Sequence, residues 1–172
     1  GEYFILDGAK GLAVPTRLGQ RLTVTPFLSS SEVHWISYDN EGNLWLEGVW
    51  NTVSKQWIHI NDIASGEILT KIFLNIEAQG FAFPGGKLLA FQLEFPRNWG
   101  LGSSSSLISL LSQYTGAEPY QILKASFGGS GYDIACASAS KALIFQLENH
   151  VPKISEIDLH LPFREQMYFL HL

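Results

Sequence analysis

A glycine-rich turn that runs straight into a serine-rich helix start is the feature that most constrains this chain. The turn follows residues 87–95, a compact apolar run typical of a strand, which Pro96 ends. Beyond it, apolar residues recur at helical spacing from Leu107 to a stop signal at Gly116. The order strand, loop, helix would gather several backbone N–H groups at the positive end of a helix dipole, which suits an anion and above all a phosphate. The residues of the loop are Gly100, Leu101, Gly102, Ser103, Ser104, Ser105 and Ser106.

The loop alone is also compatible with an ordinary turn before a helix that binds no ligand. Serine is a common helix N-cap, and glycine often only allows the backbone conformation of a turn. It matches neither standard nucleotide motif. No lysine stands near Gly102, as a Walker loop requires, and Ser105 occupies the place of the third glycine in a dinucleotide-binding fingerprint. A phosphate site here needs another architecture.

A second glycine-rich turn, residues 127–131, leads into a helix of small residues whose first turn carries one carboxylate, Asp133. The simplest interpretation is that Asp133 caps this helix. The small side chains that follow also allow close packing against another element, which would point Asp133 into a crowded, glycine-lined space. Cys136, one turn further on, is interpreted as a packing residue rather than a nucleophile.

Together these segments resemble the GHMP kinases, the superfamily of galactokinase, homoserine kinase and mevalonate kinase. Their phosphate loop has the pattern Pro-x-x-x-Gly-Leu-Gly-Ser-Ser-Ala, and residues 96–105 are similar to it at nearly every position. The mevalonate kinase members carry Ser-Gly-x-Asp, which residues 130–133 match, and residues 1–8 resemble the family's Gly-Glu-His-x-x-Val-x-Gly. The three motifs occur in family order, and residues 131–135 are similar to a bacterial branch marked by Gly-Tyr-Asp-Ile-Ala.

The resemblance implies an ATP-dependent kinase that transfers the γ-phosphoryl group to a hydroxyl of a small, mevalonate-like hydroxy acid, with Mg²⁺ as its metal. It implies that Asp133 is the catalytic base and that Ser104 offers its hydroxyl to Mg²⁺. It further implies that the whole loop, residues 100–106, binds the ATP phosphates. The substrate-binding residues that it implies are Glu2, Tyr3, Ser130, Gly131 and Tyr132.

The resemblance also implies the family's N-terminal fold, which is similar to domain 2 of ribosomal protein S5 and has two layers. The order of predicted elements, with strands first and then mixed helices and strands, favours the same class, α+β. Residues 1–162 would be the ATP-binding domain, and residues 163–172 the first strand of a truncated C-terminal domain. The chain begins just past the point where the family carries Pro-Gly-Lys, so we expect a fragment that is inactive as a kinase by itself.

Two positions depart from the family pattern. Tyr3 stands in place of the histidine, and Ile122 stands where mevalonate and homoserine kinases place a glutamate ligand for Mg²⁺. Either Glu118 supplies a carboxylate, or serine, phosphates and water hold the metal alone. These departures leave a second hypothesis open: a non-catalytic pseudokinase that binds nucleotide, or a structural domain that binds a partner through the aromatic hairpin of residues 35–50.

Composition limits the partners. Apolar residues make up 46% of the chain and charged residues 16%, which excludes disorder, and no apolar run approaches the ~20 residues of a membrane span. The net charge of −5 argues against nucleic acid. A single cysteine favours a reducing cytoplasm, and the five histidines lack the spacing of a metal site. We expect a cytoplasmic protein that binds ATP and a small hydroxylated substrate, with no nucleic acid or membrane partner; a homodimer stays open.

Periodicity and turn residues predict the elements in more detail. Strands are expected over residues 3–6, 12–14, 21–25, 32–38 and 43–50, with the clearest hairpin turn at residues 39–42. Helices are expected from Ile63 towards Gly80, from the phosphate loop to Gly116, over residues 119–126, and from Asp133. Two more strands are expected over residues 142–147 and 153–159.

Overall fold

The computed structural model describes residues 3–81, 83 and 85–168, and their mixture of helices and two sheets is of the α+β class. The strands are β1 (Gly11–Ala13), β2 (Gln20–Pro26), β3 (Glu32–Tyr38), β4 (Leu44–Asn51), β5 (Gln56–Ile60), β6 (Lys87–Leu93), β7 (Ala142–Glu148) and β8 (Val151–Ile157). The α-helices are α1 (Tyr3–Leu6), α2 (Ile63–Ala78), α3 (Ser103–Thr115), α4 (Pro119–Ala125) and α5 (Tyr132–Ser138). Short 3₁₀ turns occupy Arg97–Trp99 and Arg164–Gln166.

The larger sheet has the strand order β2-β6-β3-β4-β5. Strands β3 and β6 are parallel, and the other neighbours are antiparallel. Every second residue of β3, β4 and β6 is buried, as a sheet with one covered face requires. A parallel pair needs a long crossover, and the chain between β3 and β6 supplies it with β4, β5 and α2.

The hairpin between β3 and β4 forms where the sequence predicts it. The Asp39 Oδ1 accepts hydrogen bonds from the backbone N–H groups of Glu41 and Asn43, both at 2.9 Å. Gly42 takes a φ of 86°, a conformation that favours glycine. Hydrogen bonds from Asn43 are the main reason why the pKa of Asp39 lies below its ordinary value.

Helices α2, α3 and α4 cover one face of the larger sheet. Asp62 is the N-cap of α2, and its side chain accepts from the Ser65 N–H. The buried residues of α2 recur at helical spacing. Phe73 of α2 lies 5.8 Å from Trp35 and 5.2 Å from Trp50, measured between ring centroids. These rings belong to a buried cluster between the helices and the larger sheet, which we call the larger core. Its members include Val33, Trp35, Leu46, Trp50, Leu69, Ile72, Phe73, Ile76, Leu89, Phe91, Ile108, Leu111, Ile122 and Ile134.

The smaller sheet has the order β1-β7-β8 and is antiparallel throughout. A second buried cluster, the smaller core, lies against it. Its buried members are Ile5, Ala13, Ala135, Leu143 and Phe145. Helix α5 belongs to both clusters, because Ile134 lies in the larger core and Ala135 in the smaller one.

Most predicted elements are confirmed to within a residue or two, but the strand predicted over residues 3–6 is wrong. This segment is α1, a helical turn closed by hydrogen bonds from Asp7 N to Phe4 O at 3.1 Å and from Gly8 N to Ile5 O at 3.0 Å. A four-residue apolar run does not fix the period, and one turn suffices to bury Ile5 while Phe4 and Leu6 stay exposed.

Strand β5 was not expected, because it has only five residues and its polar residues, Gln56 and His59, do not alternate with apolar ones. It follows a turn in which Lys55 takes a φ of 56°, and it pairs with β4. Of the predicted C-terminal strand, residues 164–166 form a 3₁₀ turn and residues 169–172 lie outside the described residues. No helix in the described part of the chain is long and apolar enough to cross a membrane.

Candidate functional site

The loop before α3 is built around two glycines in the left-handed conformation. Gly100 has a φ of 68° and Gly102 a φ of 74°, which L side chains rarely adopt. Gly102 is the N-cap of α3 and has no side chain with which to cap it. The first N–H groups of this helix therefore keep their capacity to bind an external acceptor.

Asp133 lies close to a glycine of this loop, but it is exposed, so the crowded space expected around it is not formed. A Cβ built on Gly102 would lie 3.7 Å from the Cβ of Asp133 and 3.9 Å from its Cγ. A hydrogen bond of 3.3 Å between the hydroxyls of Ser109 and Ser138 also joins α3 to α5. The alternative interpretation of Asp133 as a helix cap is wrong, because the N-cap is Gly131 and Asp133 stands in the first turn.

Two cavities flank the loop. The large cleft, of about 460 Å³, is lined on the loop side by Gly100, Leu101, Gly102 and Ser106 and on the opposite side by residues of α5 that include Tyr132 and Asp133. The small pocket, of about 160 Å³, is lined by Ser103 and Ser104 together with residues of the larger sheet and of α2. The large cleft has the size of a typical ligand site of roughly 300–1,000 Å³, whereas the small pocket has room for only part of a ligand.

Arg97 stands at the small pocket and was not singled out from the sequence. Its guanidinium carbon lies 3.8 Å from the centroid of the Trp45 ring, and both residues line the pocket. Its positive charge also helps to lower the pKa of Asp62, although the hydrogen bonds from Ser65 are the larger cause. The signal was present in the sequence, since Arg97 belongs to the segment 96–105 itself.

The four serines of the loop lie in different environments. Ser103 and Ser104 line the small pocket, whereas Ser105 is buried. The hydroxyl of Ser106 lies 3.0 Å from both Gln20 Oε1 and the Ser103 carbonyl, and its backbone N–H donates to the Gly102 carbonyl at 2.9 Å. Ser106 therefore stabilises the start of α3 with both of its donors.

The second glycine-rich turn and the start of α5 are held in place by contacts with neighbouring elements. The Tyr132 hydroxyl donates to the Leu12 carbonyl of β1 at 3.2 Å, so this side chain also ties α5 to the smaller sheet. Ser130 accepts from the Tyr132 N–H at 3.3 Å. A Cβ on Gly131 would lie 2.5 Å from the Cε1 of Tyr120, which explains the glycine there. Glu2 and the side chain of Tyr3 lie outside the described residues.

The candidate carboxylate for a metal, Glu118, caps another helix, and isoleucine occupies the position of the family's glutamate. Glu118 is the N-cap of α4 and accepts from the Gln121 N–H at 2.7 Å, and Ile122 is buried in the larger core. Within residues 3–81, 83 and 85–168, no three His, Cys, Asp or Glu side chains converge to hold a metal ion. Burial and, to a lesser degree, the Asp133 charge raise the pKa of Cys136, so its thiol stays protonated at neutral pH.

Comparison with protein-family models, curated proteins and solved structures finds no match for this chain. Its function is therefore inferred from the chemistry of the site.

Proposed function

We propose that this chain is the ATP-binding half of a GHMP-type kinase, with an N-terminal fold similar to domain 2 of ribosomal protein S5. The enzyme transfers the γ-phosphoryl group of ATP to a hydroxyl of a small, mevalonate-like hydroxy acid. One observation carries the proposal: a loop with two left-handed glycines and no side-chain cap for α3 lies between two cavities, with Asp133 close to its N-cap glycine. A kinase must hold two substrates so that both reach the transferred phosphate, and the two cavities lie on either side of the loop.

The loop residues suit the phosphates of ATP. Gly102 provides no side-chain cap for the first N–H groups of α3, and the helix dipole favours negative charge at this end of the helix. Ser104 would offer its hydroxyl to Mg²⁺, an ion that usually takes most of its other ligands from substrate phosphates and water. The small pocket, with the Trp45 ring and the charge of Arg97, suits the flat base of a nucleotide.

The acceptor then occupies the large cleft. Asp133 orients its hydroxyl and takes the proton as the oxygen attacks the γ-phosphorus. The new bond joins the acceptor oxygen to phosphorus, the bond to the β–γ bridging oxygen breaks, and ADP leaves with that oxygen. We propose that the enzyme works in the reducing cytoplasm, where ATP is plentiful.

A nucleotide-binding protein without catalysis is the second candidate. It is favoured by the role of Glu118 as the N-cap of α4 and by the apolar side chain of Ile122, which cannot ligate Mg²⁺. A partner-binding aromatic hairpin has less support, because Trp35 and Trp50 are buried in the larger core.

The phosphate loop is tested by Gly102→Val. A β-branched residue at a φ of 74° is strained, and its side chain would press towards Asp133, so we expect ATP·Mg²⁺ binding to be lost in calorimetric titration. Gly42→Val is the matched control. It places the same residue at a φ of 86° in the β3–β4 turn, where no atom lies within 4 Å, and it should bind ATP normally. Unchanged ATP affinity in Gly102→Val would refute the loop assignment.

The base is tested by Asp133→Asn in the full-length protein that contains this chain. ADP release is measured with mevalonate, phosphomevalonate, homoserine and galactose. We expect turnover to fall about 10²–10⁴-fold with ATP affinity retained. Asp158→Asn, which removes an exposed carboxylate paired with Lys141, should leave turnover unchanged. Normal turnover in Asp133→Asn contradicts the assignment, and ATP binding without turnover by the native protein favours the second candidate.

A further inference from the structure

The large cleft contains one cation among its described lining residues. That cation is Arg17, and the one anion is Asp133; the other lining residues are apolar, glycine, hydroxyl, amide or thiol. A basic residue in this position stands out in a chain with a net charge of −5. Within the described part of the chain, no hydrogen bond or ion pair engages Arg17. Its five donors are therefore available to a ligand.

The segment that carries Arg17 is anchored to the phosphate loop. This segment, residues 14–19, connects β1 to β2, and the Thr16 hydroxyl donates to the Leu18 carbonyl at 2.8 Å within it. At its end, Gly19 donates to the Glu94 carboxylate at 3.1 Å, and the Glu94 N–H donates to the Gly19 carbonyl at 2.9 Å. The next residue, Gln20, accepts from Ser106 of α3. The backbone beneath Arg17 therefore keeps its position relative to the loop.

We propose that Arg17 binds the carboxylate of the acceptor and makes the large cleft selective for short aliphatic hydroxy acids over neutral alcohols and sugars. The inference rests on the proposed function and names the residue that recognises the acceptor's charge. A guanidinium binds a carboxylate through two parallel hydrogen bonds. Asp133 repels the same carboxylate, so the acid end of the acceptor faces Arg17 and its hydroxyl end faces Asp133. The apolar side chains of Leu18, Phe95 and Leu110 accommodate the short carbon chain between them.

The test compares Arg17→Gln with Arg21→Gln in the full-length protein. Arg21 lies four positions further along, outside the cleft lining, and pairs with Glu94 at 2.9 Å on an exposed strand. The probes are mevalonate and its neutral counterpart 3-methylpentane-1,3,5-triol, with ADP release for turnover and calorimetry for binding. In Arg17→Gln we expect KM for mevalonate to rise about ten- to a hundredfold with a much smaller change in kcat, because a charge-assisted hydrogen bond is lost. The triol and ATP should be unaffected, Arg17→Lys should recover part of the loss, and Arg21→Gln should behave as the native protein.

Three results would overturn the inference while leaving the kinase intact. In the first, KM for mevalonate is the same in Arg17→Gln and the native protein. In the second, ATP affinity falls and mevalonate does not respond, which assigns Arg17 to the nucleotide phosphates. In the third, the native protein phosphorylates the triol or galactose as well as any hydroxy acid. Failure of the proposed function is a different result, namely no ATP binding and no ADP release by the native protein, and the inference then fails with it.

Discussion

The two buried clusters differ in size, in composition and in which part of the candidate site each supports. The larger core stacks Trp35 on Phe91 at 4.3 Å and places Phe73 among tryptophans, and it includes Ile108 and Leu111 of the helix that follows the phosphate loop. The smaller core has few buried members besides Phe145 and supports α5, which carries Asp133. The helix after the phosphate loop thus packs in the larger core, whereas the helix that carries the carboxylate packs against both cores.

The site depends on how these two clusters meet. Helix α5 contributes to both, and the Tyr120 ring packs against both as well. The Ser109–Ser138 hydrogen bond joins α5 to α3, and the close fit of Gly131 under Tyr120 joins the start of α5 to α4. A change on either side that shifts α5 would move Asp133 relative to Gly102 without touching the chemistry. The alignment of base and phosphate loop is therefore a property of this interface.

The largest expected effect is the loss of an aromatic ring from either cluster. Phe73→Ala should lower the free energy of unfolding by about 3–5 kcal/mol, because Phe73 is fully buried among Trp50, Trp57 and Phe83. Phe145→Ala should act more locally and open α5 and the smaller sheet before the larger sheet unfolds. Urea denaturation measures the first effect, and amide hydrogen exchange resolved along the chain measures the second.

Phe127→Ala is the control, since its ring is 40% exposed and its loss should change stability little. Equal loss of exchange protection in both sheets on Phe145→Ala would show that the two clusters unfold as one unit. The smaller core would then not be the less stable part of the molecule.

A smaller effect should separate packing from backbone strain at the second turn. Gly131→Ala places a Cβ 2.5 Å from Tyr120 at a φ of 78°, whereas Gly128→Ala places one in open space at a φ of 70°. Both pay roughly 1–2 kcal/mol for the left-handed backbone, and Gly131→Ala should cost about 1–3 kcal/mol more for overpacking. Thermal or urea unfolding of the two variants gives this difference. Equal costs would mean that Tyr120 yields without loss, and that α5 is held less firmly than the contact suggests.

The sequence predicted those features that local patterns determine. Alternating apolar residues indicated β3 and β4, whose side chains are buried in alternation. Gly116 indicated the end of α3, and Asp39 with Gly42 indicated the hairpin. Asp133 was expected in a crowded, glycine-lined space; it lies close to Gly102, but it is exposed. The strand predicted over residues 3–6 was wrong, because four apolar residues fit the period of a helix as well as that of a strand. Only the packing of Ile5 against β7 and α5 decides between the two.

Arg17 and Arg97 show what local patterns do not contain. Arg97 lies within the loop motif, but its position over Trp45 depends on β4, which is far away in the chain. Arg17 meets the site only because β1 and β2 belong to different sheets, so that the segment between them crosses to the large cleft. Such long-range placement follows from strand pairing and has no signal in a window of neighbouring residues.

The smallest expected effect is electrostatic and tests whether Asp133 stays close to the smaller core. Burial is the first cause of the raised pKa of Cys136, and the negative charge of Asp133 is the second. Asp133→Asn removes the second cause, so the pKa of Cys136 should fall and its alkylation by iodoacetamide should begin at lower pH. The change should be modest and should shrink at high salt, because Asp133 is exposed and its field is screened. Cys136 is the chain's single cysteine, so the labelled site is unambiguous, and Asp158→Asn should leave the pH profile unchanged. Identical profiles in Asp133→Asn and the native protein would show that the Asp133 charge does not reach the Cys136 thiol and that the carboxylate points away from the smaller core.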